Sequence, residues 1–273
     1  MSNRRSLVLP LSALLVFLFA FFYPTLPQAS PADDLLHLHQ MRLALQRSLG
    51  DFYMYNSMEG DQRYARQISD ALQEGQNNLE RLGQMPGHAS TELQTQLLAG
   101  WQRYRQGLLK LMEAMRNQGY TELQPVADLA ETNQKLMQLS QQLYQQIQQD
   151  SGEAVPPLTQ VSREQSLLMQ GMAADYASRS ASIGNSFFGG GEERALDELA
   201  GQFASRLDKL ANAPQNTPQI SSALQNITTK WRYIEKSLRN YNENSVPFLI
   251  SKYSDSIIEG LEDVSAQYAA RQL

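Results

Sequence analysis

Across 273 residues, 28 acidic side chains outnumber 23 basic ones, and the chain contains no cysteine. That excludes disulfides, thiolate metal sites, a cysteine nucleophile and the lipidated cysteine of a lipoprotein leader. The acidic balance leaves no basic stripe to displace counterions from phosphates, so nucleic acid is not an expected partner.

Met1 to Ala32 reads as an export signal. Arg4 and Arg5 form the positive start, Leu7 to Phe22 is an apolar run, and the small residues Ser30 and Ala32 precede a cut ahead of Asp33. An uncleaved anchor is the alternative, but Pro10, Pro24 and Pro27 flank a run that is short for the ~20 residues a span needs. Membrane contact is expected only through this segment. The rest, residues 33 to 273, is placed in the periplasm, free or held to the inner membrane, and keeps 21 basic against 28 acidic residues because only Arg4 and Arg5 are lost.

Asp33 and Asp34 suit the positive end of a first helix running through Leu35, Leu38, Arg42 and Leu45 to Tyr55. Asn56 to Asp61, with Gly60, is a turn, and a second helix carries Ile68, Leu72, Leu79 and Leu82 inward before stopping at Gly83. Ser90 or Thr91 is expected to cap a third helix. Its apolar residues Leu97, Trp101, Tyr104, Leu108, Leu111 and Met115 step by four and three onto one stripe, and it ends near Gly119. Pro125 suits the first turn of a fourth helix, whose inward positions are Val126, Leu129, Asn133, Leu136, Ser140, Leu143 and Ile147. Ser151-Gly152 and Pro156-Pro157 break the chain.

The same plan then recurs. Leu158 to about Ser182 is a fifth helix, Phe187 to Gly191 a glycine-rich turn, and Leu196, Leu199, Phe203, Leu207 and Leu210 mark a sixth. Pro214 and Pro218 bracket the next turn. Ile227, Trp231, Ile234, Leu238 and Tyr241 repeat the stepping of the first Trp helix, and an eighth helix begins near Pro247 and buries Ile250, Tyr253, Ile257, Leu261, Val264 and Tyr268. No segment alternates like a strand. The expected fold class is therefore all-α: two tandem antiparallel four-helix bundles, 33–150 and 151–273, copied from one unit and following a leader or anchor at 1–32.

Few residues invite chemistry. His37 and His39 point to different helix faces, so no metal is expected, and no cofactor motif is present. Glu192 and Glu193 are adjacent rather than facing, and no nucleophile stands beside a base, so the chain is not read as an enzyme. Asn133 and Ser140 occupy core phase, as a cavity lining or as a register-setting pair. Phe187-Phe188-Gly189-Gly190-Gly191 either closes the core or forms an exposed docking tip. Arg42, Gln46 and Arg47 cluster at i, i+4 and i+5, where arginines can clamp a small anion or simply face water, Arg47 beside Asp51.

The run Arg42-Leu43-Ala44-Leu45-Gln46-Arg47-Ser48 resembles the Arg-Met-Leu-Ser-Gln-Arg-Met signature of the PilJ-type sensory domain. That domain is the N-terminal module of type IV pili methyl-accepting chemotaxis transducers and is related to the sensor region of nitrate and nitrite histidine kinases. Glu164 to Ala173 resembles the signature too, keeping Gln170 but replacing the arginines with Ser166 and Gly171. The resemblance implies an extracytoplasmic, duplicated helical bundle covering most of residues 33 to 273, and anion binding by Arg42, Gln46, Arg47 and, in the second copy, Gln170. It points to a free-standing sensory module that takes a small, anionic ligand and relays to a membrane signalling or pilus-related protein, with a homodimer as one arrangement. The rival expectation is a ligand-free adaptor of an envelope or pilus assembly.

Overall fold

The computed structural model describes residues 30–181, 196–241 and 245–271. The leader expected at 1–32, apart from its last three residues, and the turn at Phe187 to Gly191 lie outside them. Among the described residues there are eight helices and no strand: α1 (Pro31–Ser57), α2 (Gln62–Glu80), α3 (His88–Gln118), α4 (Leu123–Ser151), α5 (Pro157–Ala181), α6 (Leu196–Ala211), α7 (Pro218–Arg239) and α8 (Pro247–Ala270). The protein is all-α. No described helix is long and apolar enough to cross a membrane.

Local chemistry sets the helix ends. Ser30, not Asp33 or Asp34, caps α1: its extended backbone lets its hydroxyl accept from the Asp33 N–H at 3.2 Å, while the Asp33 carboxylate accepts from the Ser30 N–H at 3.1 Å. Asp34 is instead buried and accepts from the Gly83 N–H at 2.8 Å, tying the α2–α3 connection, just past the end of α2, to the start of α1. The cap of α3 is Gly87. Ser90 sits in the first turn, where its hydroxyl accepts from the Gly87 N–H and donates to Asp150 of α4. The second helix ends at Glu80, short of Gly83, and Pro218 opens α7 behind a Thr217 cap rather than closing the preceding turn. Gly119 and Gly152 end α3 and α4 in the left-handed conformation, which a side chain rarely adopts.

The stepped apolar stripes go inward. Leu97, Trp101, Tyr104, Leu108, Leu111 and Met115 are all buried, as are Ile227, Trp231, Ile234 and Leu238. Tyr253, expected inside, lies half-buried with its ring 4.7 Å from that of the exposed Tyr233. Two apolar clusters result, one built from α1 to α4 and one from α5 to α8. Each tryptophan packs on the second helix of its own quartet. Trp101 covers Gly75 of α2 and donates from Nε1 to Gln76 at 2.8 Å, and Trp231 lies 4.4 Å, ring to ring, from Phe203 of α6.

The two clusters meet through α1 and α5. Gly50 is packed directly against Ala174, Gly171 against Gln46, and Tyr53 bonds Ser178. These pairs lie 124, 125 and 125 residues apart, so the two helices run parallel and in step. Both consequently have partners all round: α1 also packs on α2 and α4, and α5 on α6 and α8. Neither has a single wet face, and this places buried polar residues, among them His39, Ser48, Asp51, Arg163, Gln165, Ser166 and Gln170, in the middle of the molecule.

Candidate functional site

A large concavity follows that junction. A cleft of about 810 Å³ has α1 and α5 as its floor and α4 and α6 as its walls. α1 contributes His39, Arg42, Gln46, Leu49 and Tyr53; α5 contributes Arg163, Glu164, Leu167, Gly171 and Asp175 among others. The α4 wall is rich in amides, with Asn133, Gln134, Gln138, Gln141 and Gln142 above Tyr144, and α6 supplies Leu199, Gln202 and Arg206. Helical periodicity explains the α1 contribution, since steps of three and four from 39 to 53 bring one edge of the helix to the opening.

The site residues suggested by the sequence do not all meet here. Arg42 and Gln46 line the cleft. Arg47 does not: five residues on from Arg42 it is rotated by about 140° on the helix, and its guanidinium lies 3.6 Å from Asp51 and 4.0 Å from Glu74 on the α2 side. Gln170 is buried on α5 but does not line the cleft. Asn133 lines it and is also satisfied, donating to the Leu45 carbonyl at 2.9 Å. Ser140 bonds back to Met137 of its own helix.

Arg163 is the residue that sequence reasoning missed. It is 7% exposed, and its one described hydrogen bond runs from an Nη to the Tyr144 hydroxyl at 3.4 Å. Tyr144 in turn donates to Gln160 at 2.7 Å, and Gln160 donates to Glu164 at 2.9 Å, so a phenol and an amide separate the carboxylate from the guanidinium along this chain. Glu164 lies nearer to Arg206, at 3.7 Å. The Nε of Arg163 and the Nε of Arg42 are both buried without an acceptor among the described residues. No carboxylate of the described residues comes within 4.0 Å of either guanidinium. Burial lowers the pKa of Arg42 to about 10, against the pull of Tyr144 and Glu164, so it remains a cation at neutral pH. Two cations facing one cleft without a paired carboxylate, Arg163 buried and Arg42 half-buried, are costly unless an anion joins them.

His39 closes the floor toward α8. Its Nε2 lies 2.8 Å from a Glu262 carboxylate oxygen that also accepts from the Ser166 hydroxyl at 2.6 Å. Burial pushes the imidazole pKa down, against the opposing effect of Glu262. Burial alone would raise the Glu262 carboxyl, but the bonds from His39 and Ser166, together with the charge of Arg163, outweigh it and hold its pKa low. A neutral His39 donating from Nε2 to an ionised Glu262 satisfies both groups. The arrangement is not a hydrolytic triad, because the carboxylate, not the imidazole, receives the serine hydroxyl.

On the other side of the junction Asp51 is buried beside Arg47, and burial raises its carboxyl to about 7, with Arg47 pulling it down and Asp255 pushing it up. No group of three or more metal-binding side chains occurs among the described residues. Comparison with family models, with curated proteins and with solved structures returns no match.

Proposed function

We propose that the chain is an exported, periplasmic sensory module of the PilJ-like type, built from two copies of a four-helix bundle, which binds a small anion in the cleft between the copies. The observation that carries this reading is the pair Arg42 and Arg163, one from each parallel central helix, both lining one cleft and each with its buried Nε unpaired. Helix bundles place ligand sites among facing helices, and a guanidinium offers paired donors to a planar oxyanion. The in-step packing of α1 and α5, with the Trp helices in matching places, supports the duplication. An anion bridging α1 to α5 would draw the α4 and α6 walls together by about an ångström, a shift of the size that helix interfaces transmit. A membrane signalling or pilus-related partner would read that shift.

Thermal-shift and titration measurements with nitrate, nitrite and acetate test the proposal. Wild type is expected to respond, Arg42→Met to lose the response, and Arg47→Ala to keep it because Arg47 faces away from the cleft. A response that survives Arg42→Met would remove the anion site.

A second reading, a ligand-free adaptor, draws on exposed apolar residues at one pole. Met58, Tyr120 and Leu123 flank two turns joined by the Thr121 to Asn56 hydrogen bond. It predicts a stable crosslinked partner in cells without any small molecule, lost when these residues are made polar.

A further inference from the structure

The cleft is much larger than an inorganic ion. Its 810 Å³ lies within the ~300–1,000 Å³ of pockets that hold organic ligands. At ~30 Å³ per water molecule, the same space corresponds to about 27 waters. Nitrate would occupy one corner beside the arginines and leave the rest wet.

The open hydrogen-bonding atoms are also of two kinds. The Nε atoms of Arg42 and Arg163 lack an acceptor, whereas Oε1 of Gln46, buried in the same cleft, lacks a donor. Arg42 and Gln46 are four residues apart, about 6 Å along the helix axis. Nitrate, sulfate and halides carry no hydrogen to give to Gln46. The complementary molecule is an acid that also bears an N–H or O–H within about a helical turn of its charge. Leu49, Met137 and Leu167 add apolar side chains to the same lining, and the walls above carry primary amides such as Gln138 and Gln202. A side-chain amide both donates and accepts, so it pairs best with another amide.

We infer that the ligand is an N-acylated amino acid with an apolar side chain, either free or as the C-terminal residue of a peptide. Its carboxylate accepts from Arg42 and Arg163, its amide N–H donates to Oε1 of Gln46, and its apolar side chain lies on Leu49, Met137 and Leu167. This rests on the anion reading of the same cleft and narrows it.

Isothermal titration of the purified chain tests both levels. The probes are sodium nitrate, sodium acetate, sodium lactate, N-acetyl-L-leucine, N-acetyl-Ala-Ala-Leu and the C-terminal amide of that tripeptide. N-acetyl-L-leucine is expected to bind at least tenfold more tightly than nitrate, acetate or lactate, and the tripeptide acid at least tenfold more tightly than its amide. Gln46→Met should bring N-acetyl-L-leucine down to the affinity of acetate while leaving acetate unchanged, and Arg163→Met should weaken every acid tenfold or more. A tripeptide acid tighter than N-acetyl-L-leucine assigns the peptide form, and equal affinities the free form. Nitrate or acetate matching N-acetyl-L-leucine, lactate exceeding it, or the peptide amide matching the acid overturns the inference while the anion site stands. No binding by any of the acids removes both.

Discussion

Gly75 and Gly107 provide a test of packing in opposite directions. Both are helical glycines, and replacing either with alanine gains about 1 kcal/mol of helix propensity. At Gly107 the new Cβ would lie 3.6 Å from Leu129 Cδ1, an ordinary contact, so Gly107→Ala is expected to stabilise by about 0.5–1 kcal/mol. At Gly75 the Cβ would lie 2.4 Å from Cη2 and 2.9 Å from Cζ2 of Trp101. The indole is 1% exposed and held by its Nε1 bond to Gln76, so it can withdraw only by giving up that bond and disturbing the first core. Overpacking costs about 1–3 kcal/mol and the lost hydrogen bond about 1 kcal/mol. After the propensity gain, a net loss of about 1–3 kcal/mol remains. Urea denaturation of the two variants measures it. A Gly75→Ala protein as stable as wild type would refute the placement of Trp101 over α2.

Other consequences concern buried polar groups. The carboxyl of Asp51 is raised to about 7, so the stability it contributes is present below about pH 3.8 and is lost as pH rises through 7. Asp51→Asn should therefore match wild type near pH 4 and exceed it at pH 8, by at most ~4 kcal/mol at ~1.36 kcal/mol per unit; equal stabilities at pH 8 would count against the burial of Asp51. His39 has its pKa lowered, so its contribution is present above about 6.5 and is lost as pH falls below that. His39→Gln, which can still donate to Glu262, should flatten the decline in melting temperature between pH 7 and 5, and an unchanged decline would assign it to other groups. Asn133→Ala removes the donor to the Leu45 carbonyl and is expected to cost about 1–2 kcal/mol in denaturant titrations.

Helices with one buried stripe were legible from their spacing. The inward residues of α3, α4 and α6 are those that steps of three and four select, because one face of each meets water and the other the core. α1 and α5 defeat that logic. Each is packed on several sides, so polar residues such as Ser48, Ser166 and Gln170 are buried and no single stripe distinguishes inside from outside. This is why Arg42 and Arg47, neighbours in sequence, serve opposite sides of the junction, and why nothing in its spacing singled out Arg163. The signal available in the sequence was the lack of a clean apolar stripe in the first and fifth helices. Helix starts were misplaced for a simpler reason: the caps are Ser30 and Thr217, through their hydroxyls, and Gly87, which has no side chain to mark it, and the neighbouring Asp, Ser and Pro residues do not reveal them.

The most direct test is Arg163→Met, followed by thermal melting with and without the acids named above. A guanidinium buried for a ligand rather than for a structural ion pair should be replaceable at no loss. The variant is therefore expected to be as stable as wild type or up to about 4 kcal/mol more stable, and to lose the acid-dependent rise in melting temperature. A variant destabilised by several kcal/mol that still responds to the acids would contradict the account, because Arg163 would then be holding the fold and not the anion.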